Sequence, residues 1–169
     1  AELGKRKFVL DSENSQPLKI EYVPSEGSSR VYFEVKSFDL KADIPWGSFD
    51  VAIPDDTRRI VREAPIDIRP PFSTKQHVAF DLFMPRHLPF GFHVDRIQVV
   101  GPPDSKYLAI RLTDGLAFVN VYQWSAELRR EGFPFDGHTT YRQAKDVRVT
   151  AFGDVPDSVK SKILDAFFR

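Results

Sequence analysis

The side chains best suited to chemistry are four histidines and a few close carboxylates. His87 and His93 flank the turn Leu88-Pro89-Phe90-Gly91, and two imidazoles brought together can hold a metal or exchange a proton. No pair among His77, His87, His93 and His138 has HExxH spacing, and the chain has no cysteine to complete a Cys/His set. They read as turn or surface histidines. Asp55-Asp56 sits between Pro54 and Thr57, and Asp43 and Asp50 flank a loop around Trp46. Carboxylates act as an acid–base pair only across a cleft that raises one pKa by burial. Beside proline they more often form turns. Serine, histidine and aspartate are all present, but GxSxG is not, so no nucleophile elbow is signalled. The nine glycines form neither GxxxxGK[ST] nor GxGxxG. The basic runs Lys5-Arg6-Lys7, Thr57-Arg58-Arg59 and Arg129-Arg130 have acidic neighbours and read as solvated faces. Their sharper reading is docking onto an acidic partner or lipid phosphates. The expectation is a protein that is not an enzyme and uses no metal or cofactor. A hydrolase using Asp43, Asp50 or the His87/His93 pair is the alternative of another class.

Composition sets the frame for these residues. The 24 Lys and Arg cancel the 24 Asp and Glu, so no whole-chain field attracts nucleic acid. Hydrophobic residues at 41% and aromatics at 13% indicate a packed chain rather than a disordered one. The lack of cysteine removes disulfides, iron–sulfur clusters and thiolate chemistry. No apolar run approaches the ~18 residues of a transmembrane helix. Ala1-Glu2-Leu3-Gly4-Lys5 has no signal-peptide core, which suits a mature or trimmed chain or a cytosolic protein.

The elements that must position any site are mostly strands. Arg6–Leu10, Pro17–Val23 and Arg30–Leu40 alternate apolar with charged residues and are joined by short polar turns, including Pro24-Ser25-Glu26-Gly27. They predict an antiparallel meander with one apolar side. Asp43–Ile53 predicts a loop with a short strand around Phe49-Asp50-Val51. This first segment offers no amphipathic helix to cover its apolar side. The residues of that side, Phe8, Leu18, Ile20, Tyr22, Val31, Phe33 and Val35, with Trp46 from the loop, are the candidate apolar groove. An ordinary sheet core is the plainer reading of the same aromatics. If the chain is a fragment, the second domain or another copy should cover the Leu18/Ile20/Tyr22/Val31/Phe33/Val35 face, so a homo-oligomer is allowed.

Ala64–Ser73 holds three prolines, which fix φ and remove donors, so it predicts an extended linker outside any sheet interior. The domains are therefore expected at 1–63 and 74–169, with a linker over 64–73. Beyond it, Phe92–Val100, Tyr107–Thr113, Ala117–Gln123 and Asp146–Ala151 read as strands. Asp114-Gly115 between two of them predicts a tight hairpin with φ above zero at both residues. Ser125–Glu131 is at most a helical turn or two. Asp157–Phe168 is the clearest helix, with Val159, Ile163, Leu164 and Phe167 on one face and Lys160 and Lys162 elsewhere. The expected fold class is α+β and mainly antiparallel β: a partial half-barrel sheet, then a small antiparallel sheet packed by a C-terminal helix.

Two strings carry a family resemblance. Phe8-Val9-Leu10-Asp11, Gln16-Pro17-Leu18-Lys19-Ile20-Glu21-Tyr22, Gly27, Phe33 and Ile44 through Pro54 resemble the closing half of a LolA-like lipoprotein-carrier domain, over about residues 5–60. Met84-Pro85-Arg86-His87-Leu88-Pro89-Phe90-Gly91-Phe92, Leu112-Thr113-Asp114-Gly115-Leu116-Ala117 and Val119-Asn120-Val121-Tyr122-Gln123 resemble the C-terminal domain of RseB/MucB periplasmic regulators of the sigma-E response. The opening half of a LolA-like domain does not occur in these residues, which implies a fragment, a processed piece or a divergent relative. The resemblance implies a periplasmic or otherwise extracytoplasmic protein. Its first domain would offer an apolar groove to lipid or acylated protein. Its second would grip the periplasmic region of an anti-sigma factor, with no reaction catalysed and no nucleic acid bound. No partner-binding residue matches one by one. The other implied role is a LolA-like envelope lipoprotein carrier without a signalling partner.

Overall fold

The computed structural model describes residues 3–25, 28–58, 63–69, 74–127 and 140–169. The protein is α+β, with a three-stranded and a six-stranded antiparallel sheet and one C-terminal helix. The chain divides into two compact units, Gly4–Arg62 and Glu63–Arg169, the latter joined by Ala1–Leu3.

The first unit is the meander β1 (Lys5–Leu10), β2 (Pro17–Val23) and β3 (Arg30–Glu34), in that spatial order. Side-chain caps close its first turn. Asp11 Oδ1 accepts from the N–H groups of Glu13 and Asn14, Asn14 Oδ1 accepts from Gln16, and Ser15 takes a left-handed φ of 61°. The third strand is shorter than its alternation suggests. Val35 N–H donates to Leu18 O, but the next residue of β2 is Pro17, which has no N–H, and there the chain turns back to β1. The ladder ends for want of a partner. The strand expected around Phe49-Asp50-Val51 is also not formed. Ser48 and Asp50 donate to Pro45 O and Gly47 O in successive turns, which Gly47 permits with φ at 101°. Gly27 of the expected turn lies outside the described residues.

The second unit is built on one sheet, in the order β4-β5-β6-β7-β9-β8. Its strands are β4 (Ile66–Asp67), β5 (His93–Val100), β6 (Tyr107–Thr113), β7 (Phe118–Ser125), β8 (Thr140–Ala144) and β9 (Val147–Gly153). The proline-rich segment read as a linker supplies β4. Ile66 and Asp67 pair with Val99 and Gln98 at the sheet's edge, and Ile68 N–H reaches Ile97 O. An edge position tolerates nearby prolines because no donor is required on the outer side. Residues 70–73 of that segment, and 128–131 of the expected helical turn, lie outside the described residues.

The hairpin between β6 and β7 forms, but not with the tight turn expected. Thr113 pairs with Phe118, so the loop holds four residues, and only Gly115 has positive φ. Asp114 shapes it instead: its Oδ1 accepts from Leu116 N–H at 2.9 Å and from Ala117 N–H at 2.6 Å. Thr113 Oγ1 accepts from Gly115 N–H and donates to Ala117 O.

Helix α1 (Asp157–Ala166) starts after Pro156 and lays Val159, Ile163 and Leu164 against the sheet. The sheet meets it with Ile97, Val99, Leu108, Ile110, Leu112, Val119, Val121, Val147, Val149 and Ala151, all buried. Arg142 of β8 ties helix to sheet, donating from Nε to Asp165 Oδ1 and from Nη2 to Ser161 Oγ. Lys160, expected on the polar face, is only 4% exposed. Its stem lies buried while Nζ reaches Asp157 Oδ1 at 2.7 Å. A strap beside the helix completes the cover with Val78, Phe80 and Phe92. Gln123, fully buried, holds that strap: Oε1 accepts from Phe83 N–H and Nε2 donates to Phe83 O.

Candidate functional site

In the first unit the strand registers separate an apolar side from a charged one. Residues directly opposite on neighbouring strands share a side. Phe8 stands opposite Ile20, and Ile20 opposite Phe33, so the three form a row across the sheet. Alternation along β2 adds Leu18 and Tyr22. On the other side Lys7 meets Glu21 at 3.9 Å, Lys19 meets Glu34 at 3.9 Å, and Lys36 meets Glu34 at 2.8 Å. The Lys36 contact holds the exposed Glu34 carboxyl below its ordinary pKa.

Val31 does not join the apolar row. The β2–β3 register shifts between Ile20 and Glu21, so one residue of β2 faces two of β3 and Val31 lands opposite Glu21. Tyr32, the extra residue, takes a place beside Tyr22 with ring centroids 6.2 Å apart. The Arg6 guanidinium lies over both rings, 5.9 Å from Tyr22 and 5.4 Å from Tyr32. Sequence alternation could not show this swap, because a bulge resets the period of two.

The apolar row is open. Phe8 is 47% exposed and Phe33 43%, while Leu18, Ile20 and Val35 are partly buried and Tyr22 is buried. The 40–53 loop adds exposed Leu40, Ile44, Phe49, Val51 and Ile53, and Trp46 is 99% exposed. The expected groove residues thus lie in one small unit, yet Trp46 stands free of protein contact and Val31 is turned to the charged side.

The residues with acid–base potential are placed separately. Asp43, Asp50, Asp55 and Asp56 are exposed in the turns of the first unit. In the second, His93 opens β5 opposite Thr113 and is exposed. His87 lines a cleft of about 590 Å³ with Arg86, Leu88 and Pro89 on one wall and Lys162, Asp165, Ala166 and Arg169 on the other. Lys162 Nζ lies 5.4 Å from the Phe90 ring centroid there. Among the described residues no three His, Asp or Glu side chains are grouped so as to hold a metal ion. His138, Arg59, Arg129 and Arg130 lie outside the described residues.

Sequence reading gave no notice of a second hollow. It lies on the side of the six-stranded sheet turned away from α1, and measures about 270 Å³. Arg96, Gln98 and Val100 of β5, Tyr107, Ala109 and Arg111 of β6, and Asn120 and Tyr122 of β7 line it. Each is unremarkable alone; only the register assembles them. Burial, with Tyr107 beside it, raises the Tyr122 pKa above that of a free phenol, so this hydroxyl keeps its proton.

No family model matches the chain, and no curated protein matches it. Among the described residues no helix is long and apolar enough to cross a membrane.

Proposed function

We propose that this chain is a non-enzymatic binding and regulatory protein of the RseB/MucB type, acting in the periplasm or another extracytoplasmic space. The apolar side of the first unit receives lipid or the acyl chains of a lipoprotein. The second unit grips the periplasmic region of an anti-sigma factor. One observation carries this reading: a three-stranded sheet presents Phe8 and Phe33 of one row to solvent, and the loop of the same unit bears exposed Trp46 and Phe49. Soluble proteins seldom expose a contiguous apolar patch of more than a few hundred Å² without a use for it. The two motif strings support the assignment, and each falls in its own unit.

The two tryptophans make the test direct, since Trp46 is exposed and Trp124 is buried. Titrating the full chain with a diacylated cysteinyl peptide should shift tryptophan emission to the blue, and Trp46→Phe should abolish the shift. Phe33→Asp should abolish binding with the circular dichroism unchanged. Binding of the acyl peptide but of no periplasmic anti-sigma segment would favour the carrier role instead. Binding of neither would overturn the proposal.

A further inference from the structure

The hollow on the far side of the six-stranded sheet contains an electrostatic anomaly. Arg96 of β5 stands directly opposite Arg111 of β6. Like charges directly opposite in an antiparallel pair destabilise it. Only one of the two is neutralised. The β5–β6 register shifts between Val94 and Arg96, and Asp95, the residue at the shift, brings Oδ2 to 3.5 Å from Arg111 Nε. Stacking fixes the plane of Arg111, whose Cζ lies 3.9 Å from the Phe118 ring centroid. Arg96 makes no hydrogen bond or ion pair with any described residue and is exposed. Asn120, opposite Arg111 on β7, extends the same rung with a carboxamide. Two guanidiniums and an amide therefore line one hollow, with Asp95 against Arg111 and, on the next rung, Asp67 accepting from Gln98 Nε2 at 2.9 Å.

The next rung makes the space. Gln98, Ala109 and Tyr122 stand in line across β5, β6 and β7, and the small Ala109 forms a floor. Tyr107 and Tyr122, with ring centroids 6.0 Å apart, wall the far end. At about 270 Å³ the hollow falls below the ~300–1,000 Å³ of typical small-molecule pockets. It has room for a side chain delivered by a larger body.

We propose that this hollow receives the carboxylate of a Glu or Asp in an extended acidic segment of a protein partner, held between Arg96 and Arg111 with Asn120 beside them. A carboxylate matches the planar fork of a guanidinium, and bridging two removes their repulsion. The whole chain has zero net charge, so the attraction is local and salt-sensitive. The inference deepens the partner half of the function proposed above and does not use its lipid half.

The test records arginine Nε–H and backbone amide NMR signals of the full chain during titration with a decapeptide alternating Glu and Val. The same peptide with Gln for Glu, and single-stranded oligothymidine, serve as controls. Saturable shifts at Arg96, Arg111 and Ala109 with the Glu peptide alone are expected. Arg96→Gln should weaken binding about tenfold or more. The same variant should leave the melting temperature equal or higher, because it removes a like-charge pair. Arg86→Gln, in the cleft beside α1, should bind as the unsubstituted chain does. Equal shifts with the Gln peptide, shifts centred on Arg86 and Lys162, or tighter binding of oligothymidine would each overturn the proposal. So would an anti-sigma segment that binds Arg96→Gln undiminished. Loss of acyl-peptide binding with the Glu-peptide response intact would fail the lipid half of the reading above and not this site.

Discussion

In the second unit Ile110, Val121 and Val149 point into a layer of helix and strap and are wholly buried. In the first unit Phe8 and Phe33 share one side of their own sheet and meet solvent. Both sheets are antiparallel and alternate along most of their strands, with register shifts in each. They differ in whether the chain supplies a covering layer. Alternation therefore specifies which residues share a side, while a neighbouring element decides whether that side is core or surface. The covered unit derives its stability from that side; the other leaves much of it exposed.

Substitutions should separate the two cases most sharply where burial differs most. Ile163→Ala, at a fully buried position of α1, should cost about 2–5 kcal/mol in urea unfolding. Phe33→Ala, in the open row, should cost under about 1 kcal/mol despite removing a larger side chain. A large loss at Phe33 would show that the open row is a core after all. Gln123→Ala should rank next at about 2–3 kcal/mol, since it strands the N–H and C=O of Phe83 and frees the strap. Hydrogen exchange should then accelerate at Phe83. Asp114→Ala removes two bonds to the β6–β7 loop and should cost about 1 kcal/mol, read from the same urea curves.

The smallest effect is one of pH. The folded state raises the Tyr122 pKa, so the stability this group contributes is complete below the ordinary phenol value of about 10 and disappears as pH rises through the raised one. Tyr122→Phe should flatten that part of the alkaline unfolding profile. An unchanged profile would mean that the hollow does not desolvate the ring.

The sequence made legible whatever rests on local pattern. Pro17–Val23 and Tyr107–Thr113 are strands with the bounds their alternation implies, and the helix begins at Asp157 as its apolar face requires. Two strands escaped notice for lack of pattern. Thr140–Ala144 lies at an edge and alternates only between partly buried and exposed positions, so it needs no apolar residues. Ile66–Asp67 is two residues long and sits among prolines. The opposite error came at Val35–Leu40 and Phe49–Val51, where apolar residues recur at strand spacing but no strand among the described residues pairs with them. The Arg96–Arg111–Asn120 rung was beyond sequence reading, because residues 15 and 9 positions apart become neighbours only through register. The side taken by Val31 turned on a single bulge.

The position of α1 in the chain bears on how this protein is made. The helix follows β9, so the six strands leave the ribosome before the element that shields them. Through synthesis of roughly sixty residues, at ~5–20 residues per second, Leu108, Ile110 and Val121 have only the strap from the 78–92 stretch above them. A nascent chain stalled before Pro156 would expose a half-roofed greasy sheet to holdase chaperones or to its neighbours on the polysome.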